Sequence, residues 1–267
     1  MHPGWNPVRR NRNIGTDRQG HGENKQMVIP ESWHRCQRFW ENLSACVAVQ
    51  REIGAKIQIF LVEPPQVNWF YPGSIDDMAK LLVHFPVEDL LSFDFIVLRQ
   101  PTRKQRMLAP VWGRAVPMVK IGKFCGSAVV IEAQTPGLRV WSENRSLSPD
   151  QHLELERLQQ EGHQLIRRRR DILISSSAQA IRNTVLYRTL PHEIGHHVDR
   201  LRTGRDDWNS KPSSEKEAYA HRYAKDFLTS FVTHNVLPLA ADLDDLTLSQ
   251  DGLRREWFVA PRQGCPT

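Results

Sequence analysis

The residues that decide the interpretation lie at positions 188–199, which read RTLPHEIGHHVD. Residues four positions apart share one face of a helix about 6 Å apart, so His192 and His196 can reach the same metal ion. Zinc accepts neutral imidazole, and a catalytic zinc site leaves one position for water. Glu193 would lie beside the metal, where it can act as general base. The segment therefore predicts a catalytic zinc centre.

The helix that carries this segment is predicted to begin near Ser177 and to end at Gly204, with Pro191 interrupting it just before the first histidine. Gly195 has no side chain, so it favours the close approach of another part of the chain. His197 projects about 100° away from the preceding histidine, because a helix turns once in about 3.6 residues. We therefore do not expect His197 to bind the metal.

A third ligand is expected on the following helix, predicted for residues 213–232 with Ser213 or Ser214 as its N-cap. The alternative of a histidine six residues after the second histidine fails, because that position is Arg202. Glu215 and Glu217 both lie in the following helix. They differ by about 200° around it, so only one can face the metal.

Glu217 is the preferred ligand because of the residues on its face of the helix. It shares that face with Ala220, His221 and Ala224. Small residues suit a helix face that packs closely against another helix. Glu215 remains the alternative.

The stretch RTLPHEIGHHVD resembles the catalytic-helix element of the ImmA/IrrE family of metallopeptidases. Together with SEKEAYA at 214–220, it also resembles the catalytic helices of anthrax-lethal-factor-type zinc peptidases. Both are gluzincins, in which two histidines and a downstream glutamate bind zinc. The resemblance covers roughly residues 186–228. It implies a zincin-like fold with His192, His196 and Glu217 as zinc ligands and Glu193 as general base.

Two features depart from these families. The residue one turn after the ligand glutamate is often acidic and orients a ligand histidine, whereas here it is His221, which we consider for the same supporting role. The donor that stabilises the transition state, usually a tyrosine or a histidine, has no unique candidate. Tyr219 and Tyr223 are the first choices, with His221 and His234 as further candidates.

Asp199 lies three residues after His196, on the same side of the predicted helix. A carboxylate at this position can accept the second N–H of a ligand imidazole. The alternative is an ion pair with Arg200 or Arg202. Both interpretations remain open at the level of the sequence.

The order of helical and strand patterns predicts an α+β fold, with a small sheet before the active-site helix. Lys56–Val62, Phe93–Pro101 and Gly126–Gln134 are predicted strands. Gly126–Gln134 is both the best central strand and our candidate for an edge strand that holds an extended substrate. Helices are predicted after Ser32, after Ser74 and over residues 148–170.

Four segments follow from these patterns. They are a flexible basic tail (1–27), an α/β N-terminal extension (28–90), a zincin-like metallopeptidase domain (91–235) and a C-terminal segment of unassigned structure (236–267).

The chain carries 36 Lys and Arg against 30 Asp and Glu, a net charge of +6. Much of the excess lies in the tail and in the run Arg167–Arg170, interpreted as a solvated helix face. Four scattered cysteines predict free thiols in a reducing compartment. The sequence has no apolar leader and no apolar run long enough for a bilayer, so we expect a cytoplasmic protein without a membrane partner.

The expected activity is zinc-dependent hydrolysis of peptide bonds in a protein or peptide substrate. One alternative is a regulatory peptidase that cleaves a single partner. Another is a catalytically weak zincin that serves as a nucleic-acid- or protein-binding module, although no nucleic-acid-binding motif accompanies the basic residues.

Overall fold

The computed structural model describes Leu43 and residues 45–108, 111–142, 147–234, 236 and 239–261. The predicted basic tail and nearly all of the helix predicted after Ser32 lie outside these residues. Leu43–Thr267 form one compact unit. Its mixture of helices with two sheets confirms the predicted α+β class.

A five-stranded mixed sheet forms the centre of this unit. Its strands are β1 (Val47–Ile53), β2 (Lys56–Val62), β3 (Phe95–Arg99), β4 (Gly113–Ile121) and β5 (Phe124–Glu132). The order is β1-β2-β3-β5-β4, in which β2, β3 and β5 are parallel and the two outer strands are antiparallel to their neighbours. Every residue of β3 is buried, as expected for a strand covered on both faces.

Three short helices connect strands of this sheet: α1 (Ile75–Leu82), α2 (Val87–Leu90) and α3 (Arg103–Leu108). The helix predicted after Ser74 is α1. Ser74 and Asp77 form a reciprocal capping box there, which satisfies backbone N–H groups at the start of the helix.

A second, three-stranded antiparallel sheet has the order β6-β8-β7. It consists of β6 (Gly137–Ser142), β7 (Gln164–Arg167) and β8 (Asp171–Ser176), and α4 (Pro149–Gln160) packs on it. Leu155 and Leu158 of α4 are buried against Ile172 and Ile174 of β8.

The helix predicted over 148–170 is wrong in its second half. The chain turns at Gly162, whose φ of 99° ends the helix and favours glycine. The run Arg167–Arg170 therefore occupies a β-hairpin rather than a helix face. Within the turn, Arg168 pairs with Asp171 at 2.6 Å.

The remaining helices are α5 (Ala178–Asn183), α6 (Leu190–Thr203), α7 (Arg205–Ser210) and α8 (Ser213–Thr233), with a π-helical segment at Thr184–Thr189 before α6. The predicted start at Ser177 and stop at Gly204 are confirmed, since Ser177 caps α5 and Gly204 has φ 88°. The predicted serine cap of α8 is wrong, because Pro212 occupies the N-cap position without a side-chain hydrogen bond.

The π-helical segment explains how the helix accommodates Pro191. A proline lacks an N–H, and its ring excludes the carbonyl four residues earlier. Here the N–H of Leu190 bonds to the carbonyl of Val185, five residues earlier, so the helix widens just before the proline.

The C-terminal residues belong to the same core. They form α9 (Asp245–Gln250) and a 3₁₀ turn (Arg255–Trp257), and Leu248, Leu253 and Phe258 are buried in the main cluster. The boundary predicted after residue 90 lies between β2 and β3, which are paired strands of the same sheet. Leu43–Thr267 form one compact unit across the boundaries predicted after residues 90 and 235.

No helix among the described residues has both the length and the apolar character that a bilayer crossing requires. Cys46 and Cys125 are free thiols, and the other two cysteines lie outside the described residues.

Candidate metal centre

The close packing of α6 against α8 brings the predicted ligands together. A Cβ atom added at Gly195 would lie 3.1 Å from Tyr223 Cβ and 3.2 Å from Ala220 Cα. Ala220 and Ala224 are buried in the contact. The glycine and the two alanines thus let the helix axes approach, as the sequence predicted.

His192, His196 and Glu217, called here the ligand trio, meet at this contact. Their ligand atoms all lie within 4.8 Å of one another. Glu217 Oε2 is 3.3 Å from His192 Nε2, and Glu217 Oε1 is 3.5 Å from His196 Nε2. Glu215 is exposed in the first turn of α8 and does not join the group.

These separations fit a zinc ion. Zinc–ligand distances of about 2.0–2.2 Å in tetrahedral geometry place neighbouring ligand atoms about 3.4 Å apart. Burial lowers the pKa of His196 to about 4, which leaves a neutral imidazole at pH 7. A hydrogen bond from His192 lowers the pKa of Glu217, which keeps it ionised. Neutral imidazole and carboxylate are the forms that bind the metal.

Glu193 lies beside the ligand trio in a buried position between α6 and β4. Burial raises its pKa to about 7, and a hydrogen bond from the Ala115 backbone opposes this rise. Gly113 makes the position possible, because a Cβ there would lie 2.7 Å from Thr189 Cγ2 and 3.2 Å from Glu193 Cγ.

The ligand trio opens into a cleft of about 730 Å³, walled by β4, β6, α4, α6 and α8. The prediction that Gly126–Gln134 is the substrate-binding edge strand is wrong. That segment falls on β5, whose neighbours β3 and β4 occupy both of its sides. The apolar run that suggested a strand marks burial on both faces, which is typical of an interior strand. The edge strand along the cleft is β4.

His221 is brought to the site, whereas the two tyrosines are not. The His221 ring centroid is 4.5 Å from that of His192, and burial lowers the pKa of His221 to about 4. Tyr223 donates to Asp89 Oδ2 at 2.8 Å, and Tyr219 accepts from Arg202 at 3.1 Å. Neither tyrosine lines the cleft.

Helix geometry explains why Tyr219 and Tyr223 cannot serve as the predicted transition-state donors. They follow Glu217 by two and six residues, or about 200° and 240° around α8, so they face away from the ligand trio. His234 is also remote, because it lies at the end of α8, where it contacts Ser230.

Asp199 is buried and pairs with neither Arg200 nor Arg202. Its Oδ1 accepts hydrogen bonds from Lys211 Nζ at 2.8 Å and from Thr203 Oγ1 at 3.2 Å, while Oδ2 has no partner among the described residues. Its charge raises the pKa of His196 but does not offset the effect of burial. The structure therefore gives Asp199 a lysine partner rather than an imidazole.

The other imidazole nitrogens differ in their surroundings. His192 Nδ1 is buried without a hydrogen-bond partner in the described part of the chain. His197 faces the sheet, where its Nε2 donates to the Ala128 carbonyl at 3.0 Å. The expectation that His197 points away from the metal agrees with this position.

The sequence patterns missed the arginines that line the cleft. Arg188 donates to both Glu154 and Glu161, and Arg114 donates to the buried Glu132 at 3.1 Å. Arg139 enters from β6. Arg188 and Arg200 had a local signal, since they lie one helical turn before His192 and one turn after His196.

Comparisons of the chain with protein-family models, with curated proteins and with solved structures give no match. Inferences about function therefore rest on the geometry of the cleft.

Proposed function

We propose that this protein is a zinc-dependent metallopeptidase of the gluzincin type. The convergence of the ligand trio, with the Glu217 carboxylate 3.3 and 3.5 Å from the two imidazoles and a buried glutamate beside them, carries the proposal. His192, His196 and Glu217 would hold the ion. When bound, zinc would acidify a coordinated water and polarise the carbonyl of the scissile bond.

Glu193 supplies the proton transfer in this proposal. As the carboxylate it accepts a proton at its oxygen atoms, and it then delivers that proton to the leaving amine. Its buried position limits its contact with bulk water, and burial raises its pKa above that of an ordinary glutamate. A carboxylate with an ordinary pKa would hold the proton less readily.

The edge strand β4 would position the substrate. Trp112, Gly113, Arg114 and Ala115 run along the cleft beside Glu193. An extended peptide can add to such an edge through backbone hydrogen bonds. This arrangement supports a peptide substrate and makes β4, rather than β5, our candidate for the positioning role.

A second candidate is binding of nucleic acid by the arginine-rich hairpin. The side chains of Arg167, Arg169 and Arg170 are exposed, and Arg168 pairs with Asp171 in the same turn. A salt-dependent gel shift would test this role, because phosphate contacts weaken steeply as salt increases.

The variant Glu193→Gln tests the peptidase mechanism. It keeps the shape of the side chain and removes the base, so we expect zinc to be retained and hydrolysis to fall by several orders of magnitude. Cleavage would be followed by mass spectrometry on a mixed peptide library, with zinc content measured on the same samples. Hydrolysis at the wild-type rate in this variant would contradict the role of Glu193.

A further inference from the structure

The cleft extends beyond the ligand trio along the inner face of the second sheet. Arg139 and Trp141 of β6 lie on this face, opposite Ile174 and Ile172 of β8. Arg139, Trp141 and Ile174 line the cleft together with Trp112 and with Leu158 of α4. This part of the cleft is therefore an aromatic and aliphatic recess with one arginine.

Arg139 differs from Arg114 and Arg188, which also line the cleft, in its partners. Its guanidinium lies 4.3 Å from the centroid of the Trp112 ring. Arg188 donates to two glutamates and Arg114 to Glu132. Arg139 has no hydrogen bond or ion pair with a described residue, and only the more distant charge of Glu154 acts on it. Stacking fixes the plane of a guanidinium and leaves its N–H edge available for a carboxylate.

A second cation also lies over a tryptophan ring, between α7 and α8. Lys216 Nζ lies 4.2 Å from the centroid of the Trp208 ring, and both residues line the cleft. Lys216 lies close enough to His196 for its charge to lower the pKa of that histidine. Cationic side chains outnumber anionic ones along the described walls, and zinc would add to the positive charge.

We propose that the cleft selects peptide segments that carry an aspartate or glutamate, whose carboxylate binds the N–H edge of Arg139. The aliphatic part of that side chain would lie against Trp141 and Ile174. Its carboxylate would accept hydrogen bonds from the guanidinium of Arg139, which is stacked on Trp112. The proposal rests on the proposed peptidase function, since it assigns the class of segment that occupies the cleft.

Binding can be measured without hydrolysis, on the zinc-loaded Glu193→Gln chain. The probes are fluorescently labelled peptides of alanine and serine that carry a single Glu or, in the matched peptide, a single Gln. This residue is placed at each position of the peptide in turn, and binding is measured by fluorescence anisotropy. We expect about tenfold tighter binding of the Glu peptide at one position, because a charge-assisted hydrogen bond replaces a neutral one. Arg139→Gln should abolish this preference, and Arg139→Glu should reverse it.

Arg169→Glu is the matched control, because it makes the same charge change at an exposed residue of the hairpin turn that does not line the cleft. It should keep the Glu preference, and thermal melting would verify that each variant is folded. Equal binding of Glu and Gln peptides, absence of binding, or a preference retained in Arg139→Gln would overturn the proposal. A preference without hydrolysis in the wild-type chain would overturn only the peptidase function.

Discussion

Polar side chains join α6 to α8 on two different faces of this helix pair. On one face lies the ligand trio, where two imidazoles meet a half-exposed carboxylate at 3.3 and 3.5 Å. On the other face lies the Asp89 cluster, which consists of Asp89, Arg202, Tyr219 and Tyr223. There the buried Asp89 accepts from Arg202 at 2.6 Å and from Tyr223 at 2.8 Å.

The two groups differ in how completely their atoms satisfy one another. In the Asp89 cluster, donors and acceptors are matched at ordinary hydrogen-bond lengths, as expected for a group that only stabilises the fold. In the ligand trio, two imidazoles and a carboxylate converge at 3.3 and 3.5 Å, and these separations also suit a shared metal ion. Changes in the ligand trio should therefore affect zinc binding, and changes in the Asp89 cluster should affect stability.

The largest expected effect is loss of zinc from Glu217→Ala. Removal of one of three protein ligands should lower zinc affinity by more than the roughly 100-fold that loss of a supporting residue causes. Glu215→Ala is the matched control, since it removes the same charge two residues away in an exposed position. Competition with a fluorescent chelator measures both. The reverse result would show that the ligand lies two residues earlier in α8.

A smaller effect on both faces is expected from Gly195→Ala. The new Cβ would lie 3.2 Å from the backbone of Ala220, so α6 and α8 must separate by a few tenths of an ångström. We expect a loss of about 1–3 kcal/mol in the free energy of unfolding, as for overpacked cores. Zinc affinity should fall as well, because Glu217 moves with α8. Unchanged stability and unchanged zinc affinity would show that the glycine is not required for the close packing.

The smallest effect on zinc affinity is expected from Tyr223→Phe, which removes one hydrogen bond to the buried Asp89 and leaves the ring contacts with Phe85 and Phe227. Loss of one such bond costs about 1–3 kcal/mol. Urea unfolding should register this loss, while zinc affinity should stay within about twofold of the wild-type value. A large loss of zinc would mean that the two faces are not independent.

The sequence predicted the parts of the site that depend on spacing within one helix. Ser177, Gly204 and the face of Glu217 follow from caps and from the 3.6-residue period, and the structure places all three as expected. The same period places Tyr219 and Tyr223 on the opposite face of α8, so the spacing itself argues against their prediction as transition-state donors.

The parts that depend on the order of strands could not be predicted. Whether β4 or β5 lies at the edge is decided by which strands pair, and no local pattern encodes that order. The approach of Arg139 to the cleft depends on the second sheet, whose strand β7 was predicted to be helical. Leucines at helical spacing favoured that helix, but Gly162 ended it.

Metal content tests the central claim most directly. The full chain, purified without chelators, would be examined by native mass spectrometry beside two variants, one in which His192 and His196 are both alanine and one with Tyr223→Phe. We predict one zinc ion per chain in the wild type and in Tyr223→Phe, and none in the double variant. A metal-free wild type, or a double variant that retains zinc, would contradict the assignment of the ligand trio as a zinc centre.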